Sequence, residues 1–507
     1  MKKLKTTVLL GIAALGACLC ACSDSPSSST GNETKESVQS GSNVQEESDV
    51  LTQESVQDET DNLEMLSYAT ITETDDWGPS ITKIVVEFTG NVGVGVSPED
   101  FTVSVKRTYA GTNEPVQEMS YETFEYAVSP TAEGERTIVD AYPSDVNGMK
   151  VQEDSSYITL VMESTPTEGF GNPIGAELET GLGLNVVLDC NYTIQYTDPE
   201  GNTLSCSNKN EDACQMLLTD KFTHDQSYTT TSEDILNDAY ENDTLYYASY
   251  EPEDDGEKHA LIIWLHGMGE GGTDTRIPLL GNKANVFAGE EFQNIMGGAY
   301  VLVPQSPTIW MNVTGATYDL SAENSTSMYT QTLMELIENY VAEHEAIDTD
   351  RIIIGGCSNG GYMTMNMIIN FPEYFAAAFP ICEAYTDEFI TDEQINGIKD
   401  MPIWFTHAAD DTLVVPDTTT VPTYNRLVEA GAENIHFTFW TNVHDTSGRF
   451  TDDQGNPEVY FGHGSWRYML DNECTLDCDY QEGVTTDEKG SGETIFEWIS
   501  QQSKTKA

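Results

Sequence analysis

Basic residues are scarce in this chain: 22 Lys and Arg stand against 85 Asp and Glu in 507 residues, for a formal charge of −63. Such a surface repels a phosphate backbone, which excludes nucleic acid as a partner. The acidity reads as a soluble, self-repelling surface and carries no substrate preference. Histidine is rarer still, with 8 in the chain, so any imidazole chemistry has few candidates. No Cys-x-x-Cys pair and no His/Cys pair at zinc spacing occurs, and a metal site is not expected. Apolar runs are short as well. The run from Val8 to Leu19 follows Lys2, Lys3 and Lys5 and is too short to span a bilayer stably, so it reads as a secretory signal.

Two segments at the start stand apart from any fold. Leu19-Cys20-Ala21-Cys22 resembles the lipobox of bacterial lipoproteins, in which the cysteine is diacylated and becomes the new N-terminus; Leu15-Gly16-Ala17-Cys18 fits in a similar way. Cys22 is favoured because the polar stretch begins directly after it. The resemblance implies a signal peptide over 1–22 and a lipoprotein on the extracellular face of a bacterial membrane, attached only through that lipid. Residues 23–63 are dominated by Ser, Glu, Asp, Gln and Thr and contain no aromatic residue. Such a composition buries too little apolar surface to fold and is expected to act as a flexible tether.

Of the cysteines beyond the export signal, Cys206 and Cys214, and Cys474 and Cys478, are spaced to close small disulfide loops outside the cell, although spacing alone does not establish pairing. Cys357 reads as a small core residue.

From 64 to 222 short alternating apolar and polar runs are separated by turn residues. Thr82 to Phe88, Phe101 to Val105, Tyr157 to Val161, Leu184 to Leu188 and Tyr192 to Tyr196 are such runs, and Asp198-Pro199-Glu200-Gly201 is a turn. With no helical period between them, the pattern predicts an all-β sandwich of immunoglobulin-like type. No cluster of catalytic residue types falls in it, so the expected role is a spacer or a modulator of its neighbour.

From 223 to 507 the texture changes to strands alternating with helices. Strands are expected at Leu245 to Tyr250, Ala260 to Leu265, Tyr300 to Pro304, Arg351 to Ile354, Phe375 to Pro380, Met401 to Thr406 and Ile435 to Thr441. Leu333, Leu336, Ile337, Tyr340 and Val341 lie at helical spacing, and further helices are expected near 362–370 and 424–430. The alternation predicts an α/β fold, a mostly parallel sheet covered on both faces, with its site at the carboxyl ends of the strands.

Gly356-Cys357-Ser358-Asn359-Gly360 fits G-x-S-x-G at the end of one of those strands, where a strained turn exposes a serine hydroxyl. Serine needs an imidazole to take its proton and a carboxylate to orient that imidazole. The carboxylate is sought after the strand ending at Thr406, where Asp411 is favoured by the spacing His407-x-x-x-Asp411 and Asp410 is the alternative. His407 itself reads as a structural residue. For the base, His463 in Gly462-His463-Gly464-Ser465-Trp466 is favoured, because H-x-S-W is a recurrent setting. His444, directly after the last strand, is the alternative. Oxyanion donors are expected from the backbone N–H groups of Asn359 and Met268. The loop His266 to Gly272 has a rival reading as a phosphate cradle, but the lysine of a nucleotide loop does not follow it. Trp310 is a candidate wall for the substrate pocket, and Glu383 to Asp400 a candidate lid segment.

These pieces in this order resemble the α/β-hydrolase superfamily, and more closely bacterial esterases of the feruloyl or acetyl-xylan esterase and polyhydroxybutyrate-depolymerase-like type. The motifs that carry the resemblance are Leu265 to Gly272, Gly356 to Tyr362, His407 to Pro416 and His463 to Trp466. An immunoglobulin-like domain ahead of such a hydrolase is similar to a group of two-domain bacterial esterases. The resemblance implies a serine esterase without metal or organic cofactor, acting on short-chain or polysaccharide-linked esters. Rival expectations are a peptidase of the prolyl-oligopeptidase type and a non-catalytic surface protein that binds a glycan or a partner. The chain departs from simpler members by the excursion between His444 and His463.

Overall fold

The computed structural model describes residues 63–119, 126–178, 182–230, 244–312, 327–481 and 483–504. The expected export signal, Cys22 and most of the linker lie outside these residues.

The first domain is a sandwich of two sheets. One orders Gln215–Met216, Met65–Asp75, Gly78–Val92, Ser155–Met162 and Ile138–Ser144; the other orders Thr203–Cys206, Asn185–Thr197, Phe101–Tyr109 and Glu133–Arg136. The expected runs at Leu184 and Tyr192 are thus one long strand. Alternation puts Ile84, Val86, Ile158 and Leu160 of one sheet against Val103, Val105, Tyr192 and Ile194 of the other in a single core, the arrangement two half-buried sheets require.

The second domain is built on an eight-stranded sheet. Its strands are β1 (Thr223–Thr229), β2 (Thr244–Tyr250), β3 (His259–Leu265), β4 (Ala299–Gln305), β5 (Ile347–Cys357), β6 (Ala377–Ile381), β7 (Ile403–Ala408) and β8 (Ile435–Trp440). The order across the sheet is β1-β2-β4-β3-β5-β6-β7-β8. Pairing is antiparallel at β1–β2 and β2–β4 and parallel from β4 onward. Around it lie α1 (Ile277–Gly281), α2 (Glu290–Met296), α3 (Thr330–Glu343), α4 (Asn359–Asn370), α5 (Asp392–Ile398), α6 (Thr420–Glu429), α7 (Trp466–Leu470) and α8 (Ile495–Ser500).

Strand β3 shows why both faces are covered. Leu261, Ile263 and Leu265 share one core with Leu333 and Ile337 of α3, Met363 of α4 and Leu427 of α6. Ala260, Ile262 and Trp264 meet Phe292 of α2, Tyr468 of α7 and Phe496 of α8. A strand apolar on both faces is stable only between two helical layers. The candidate lid segment belongs to one of those layers, since Ile390, Ile395 and Ile398 are buried in the core.

The sandwich is docked firmly on the second domain. Ile277 and Leu280 of α1 are buried with Ile174, against Val187 and Met216. Lys283 reaches the Asp76 carboxylate at 2.8 Å and also pairs with Asp471. The 445–461 excursion leans on the tip of the first hairpin, where Phe450 meets Trp77 edge-on at 4.9 Å and Arg449 lies 3.6 Å from Asp75. Replacing Lys283 with Met would leave the Asp76 and Asp471 carboxylates facing each other without the ammonium between them. The expected cost is roughly 2–4 kcal/mol, read as a lowered thermal midpoint at neutral pH. The loss should shrink toward pH 4, where the carboxylates take up protons.

Candidate active site

Ser358 sits between β5 and α4 with φ +55°, a conformation that costs a side-chain-bearing residue energy and persists only when its surroundings impose it. Here they do. A Cβ at Gly356 or Gly360 would run into the Leu265 carbonyl, so the turn lies backbone against backbone on the end of β3. The Ser358 N–H donates to the Ile381 carbonyl at 2.9 Å. The hydroxyl is thereby held at the positive end of α4.

A hydrogen-bonded row runs from that hydroxyl. His463 Nε2 lies 2.7 Å from Ser358 Oγ, and His463 Nδ1 lies 2.6 Å from Asp411 Oδ2. With Nδ1–H pointing at a carboxylate, Nε2 is the acceptor for the serine proton. Asp411 Oδ1 accepts the N–H groups of Leu413 and Val414 at 2.9 and 3.0 Å, and its Oδ2 also faces His407 Nε2 at 3.0 Å. Burial works to raise the Asp411 carboxyl, but hydrogen bonds from His407 and His463 outweigh it and hold the group well below the usual carboxylate range.

The alternatives stand elsewhere. His444 Nδ1 lies 2.8 Å from Asn442 Oδ1 and 3.1 Å from the Tyr468 hydroxyl, while the chain folds back through the excursion to bring His463 to the serine. Asp410 is an exposed neighbour of Gly462. Trp310 requires a correction, because it is fully buried and so presents no face to a substrate. Its link to the site runs through its backbone, whose N–H donates to Asn359 Oδ1 at 2.7 Å. The cysteines of the described residues are all free, so neither Cys206 with Cys214 nor Cys474 with Cys478 is bridged. Burial pushes the Cys357 thiol well up, which keeps it unreactive beside the serine.

The loop after β3 carries Met268 as the first residue of a short turn, Met268–Glu270, and Asn359 opens α4. His266 braces this loop. Its Nδ1 is 2.6 Å from the Gly267 carbonyl and its Nε2 accepts the Ser306 N–H at 3.1 Å, and burial lowers its pKa to about 4. A neutral ring is what both bonds require.

Sequence reasoning passed over three residues here. Glu270 folds its carboxyl under the loop with Oε2 unpartnered. Thr420 and Glu383 stand buried behind His407. A charged or polar residue inside an apolar stretch was the available signal for Glu383 alone.

The architecture is that of an α/β-hydrolase preceded by an immunoglobulin-like domain. Residues 67–204 match the family model of the esterase Ig-like N-terminal domain, and residues 251–453 match that of the Phospholipase/Carboxylesterase family. The chain belongs with these esterases and is a carboxylic ester hydrolase. A solved structure of a thermostable esterase superposes with a TM-score of 0.60 at 24% identity, over 86% of this chain and 100% of its own. A ferulic acid esterase (TM-score 0.32, 13% identity, 43% of this chain and 90% of its own) and an acetyl xylan esterase from Aspergillus awamori (0.28, 16%, 38% and 76%) are also similar. No curated protein sequence matches the chain.

Glu270 provides a test of the loop's electrostatics. Burial raises its carboxyl from the ordinary 4.5 to about 7. The folded state therefore holds a proton that the unfolded chain releases near pH 4.5. The proton-linked stability is full below that pH and lost as pH rises through 7. Glu270→Gln abolishes the dependence, so the thermal midpoint of the variant relative to wild type should rise between pH 5 and pH 8. The full swing is on the order of 3 kcal/mol. Equal differences at both pH values would show that Glu270 is charged throughout.

Proposed function

We propose that the chain hydrolyses carboxylic esters through an acyl-enzyme on Ser358. The observation that carries this is the unbroken row Ser358 Oγ, His463 Nε2, His463 Nδ1, Asp411 Oδ2, with contacts of 2.7 and 2.6 Å. In this reading His463 takes the serine proton as Oγ attacks the ester carbonyl, and Asp411 supports the imidazolium that forms. The N–H groups of Met268 and Asn359 receive the oxyanion. His463 then returns the proton to the leaving alcohol, and water, activated by the same imidazole, releases the acid. Short-chain esters and esters of plant polysaccharides, acyl or feruloyl, are the proposed substrates.

Ser358→Ala and His463→Ala should each lower kcat/KM for p-nitrophenyl acetate by ~10⁴-fold or more, while His444→Ala largely retains it. A fluorophosphonate probe should label wild type at Ser358. Loss of activity in the His444 variant alone would overturn the assignment of the base. Faster turnover of proline-containing amides than of p-nitrophenyl and feruloyl esters would make the enzyme a peptidase.

The site of action we propose is the outer face of a bacterial membrane, with Cys22 lipidated and the Ser- and acid-rich stretch after it as the tether. The support is the lipobox-like Leu19-Cys20-Ala21-Cys22 behind its short apolar run. The full-length protein expressed in a bacterial host should partition into the detergent phase of a Triton X-114 separation, and Cys22→Ala should move it to the aqueous phase. An unchanged partition would sink the anchor.

A further inference from the structure

Behind Asp411 the hydrogen bonds continue inward. His407, at the end of β7, is fully buried. Its Nε2 faces Asp411 Oδ2 and the Val414 carbonyl, both at 3.0 Å. Its Nδ1 lies 2.9 Å from the Thr420 hydroxyl at the start of α6, and that hydroxyl is 3.4 Å from Glu383 Oε1. Glu383 is fully buried after β6, and its Oε2 accepts the Tyr385 N–H at 2.7 Å.

The directions of these bonds follow from the chemistry. An ionised Asp411 and the Val414 carbonyl are acceptors only, so His407 Nε2 carries a proton. A neutral ring then needs a donor at Nδ1, which Thr420 supplies. The hydroxyl's single proton goes to Nδ1, and its oxygen stays 3.4 Å from Glu383 Oε1, outside the range of a firm O–H···O bond. Burial disfavours charge on both ends, lowering the pKa of His407 and raising that of Glu383 well above its ordinary value. Every proton in this inner branch points toward Asp411, as does the His463 Nδ1–H on the other side.

We propose that Thr420 and His407 form an inner branch that fixes His407 as a hydrogen-bond donor to Asp411, making His407 a positioning residue for the reaction. The inference rests on the reading of Ser358, His463 and Asp411 as the catalytic row. By sharing the oxygen that holds His463, His407 takes up part of the carboxylate's charge and sets how strongly that charge retains the proton on the base. Other titratable groups facing the network are Asp410 and Cys382 near Asp411, Asp387 near Glu383, and Tyr385 beside it. They are common to every variant below.

The test is the pH profile of kcat/KM for p-nitrophenyl acetate, whose acidic limb reports protonation of the base in the free enzyme. His407→Leu removes the donor and should move that limb to higher pH by about 0.5–1 unit. His407→Gln, whose amide N–H reaches the same oxygen, should leave the limb near its wild-type position. A fall in activity for His407→Leu with an unmoved limb would show that His407 only packs, and would overturn the proposal. Where that variant does not fold, Thr420→Val removes the donor to Nδ1 and should shift the limb the same way by less; no shift overturns the proposal equally. Fluorophosphonate labelling separates the two readings. An unlabelled wild type overturns the catalytic row and the branch with it, whereas a labelled enzyme with an unmoved limb overturns the branch alone.

Discussion

The active region depends on one close approach, that of the β5–α4 turn to the Leu265 carbonyl at the end of β3. Only glycine at 356 and 360 permits it. The approach has two effects. It forces Ser358 into a backbone conformation that no ordinary turn would hold, and it brings the loop after β3, with Met268, against the start of α4. The Ser358 turn and the loop after β3 are therefore placed by the same contact, and what disturbs one disturbs the other.

Around that contact the charges are arranged so that few remain uncompensated. Asp411 is a buried anion, and burial is costly unless every lone pair finds a donor. Two backbone N–H groups and two imidazoles supply them. Burial favours the neutral form of His266 and Glu383, and of Glu270 below about pH 7. With Asp411 as the carboxylate held against His463, the electrostatic effect falls on the imidazole next to the serine.

What the sequence disclosed was whatever depends on near neighbours in the chain. The apolar run Ile352 to Ile354 into two glycines, the turn around Ser358 and the helical spacing of Leu333 and Ile337 are local patterns, and the two-domain order follows from a change in period. The position of His463 is different in kind. It depends on an excursion whose path is set by Phe450 on Trp77 and Arg449 near Asp75, contacts with a hairpin far back in the chain. The same holds for Trp310, read as a pocket wall and found in the core, because its exposure is decided by Tyr329 and His266 packing on it. Thr420 carries no pattern at all; an isolated threonine acquires meaning only when a histidine nitrogen lies against it.

The docking of α1 and Lys283 on the sandwich has a consequence for the chain as a polymer. A cut between 222 and 223, where the texture of the sequence changes, would strip Ile277 and Leu280 of their cover and leave Lys283 with Asp471 alone. The two domains are distinct in architecture but share a buried contact. The sandwich leaves the ribosome first, so the side chains that cover Ile277 and Leu280 are synthesised before them.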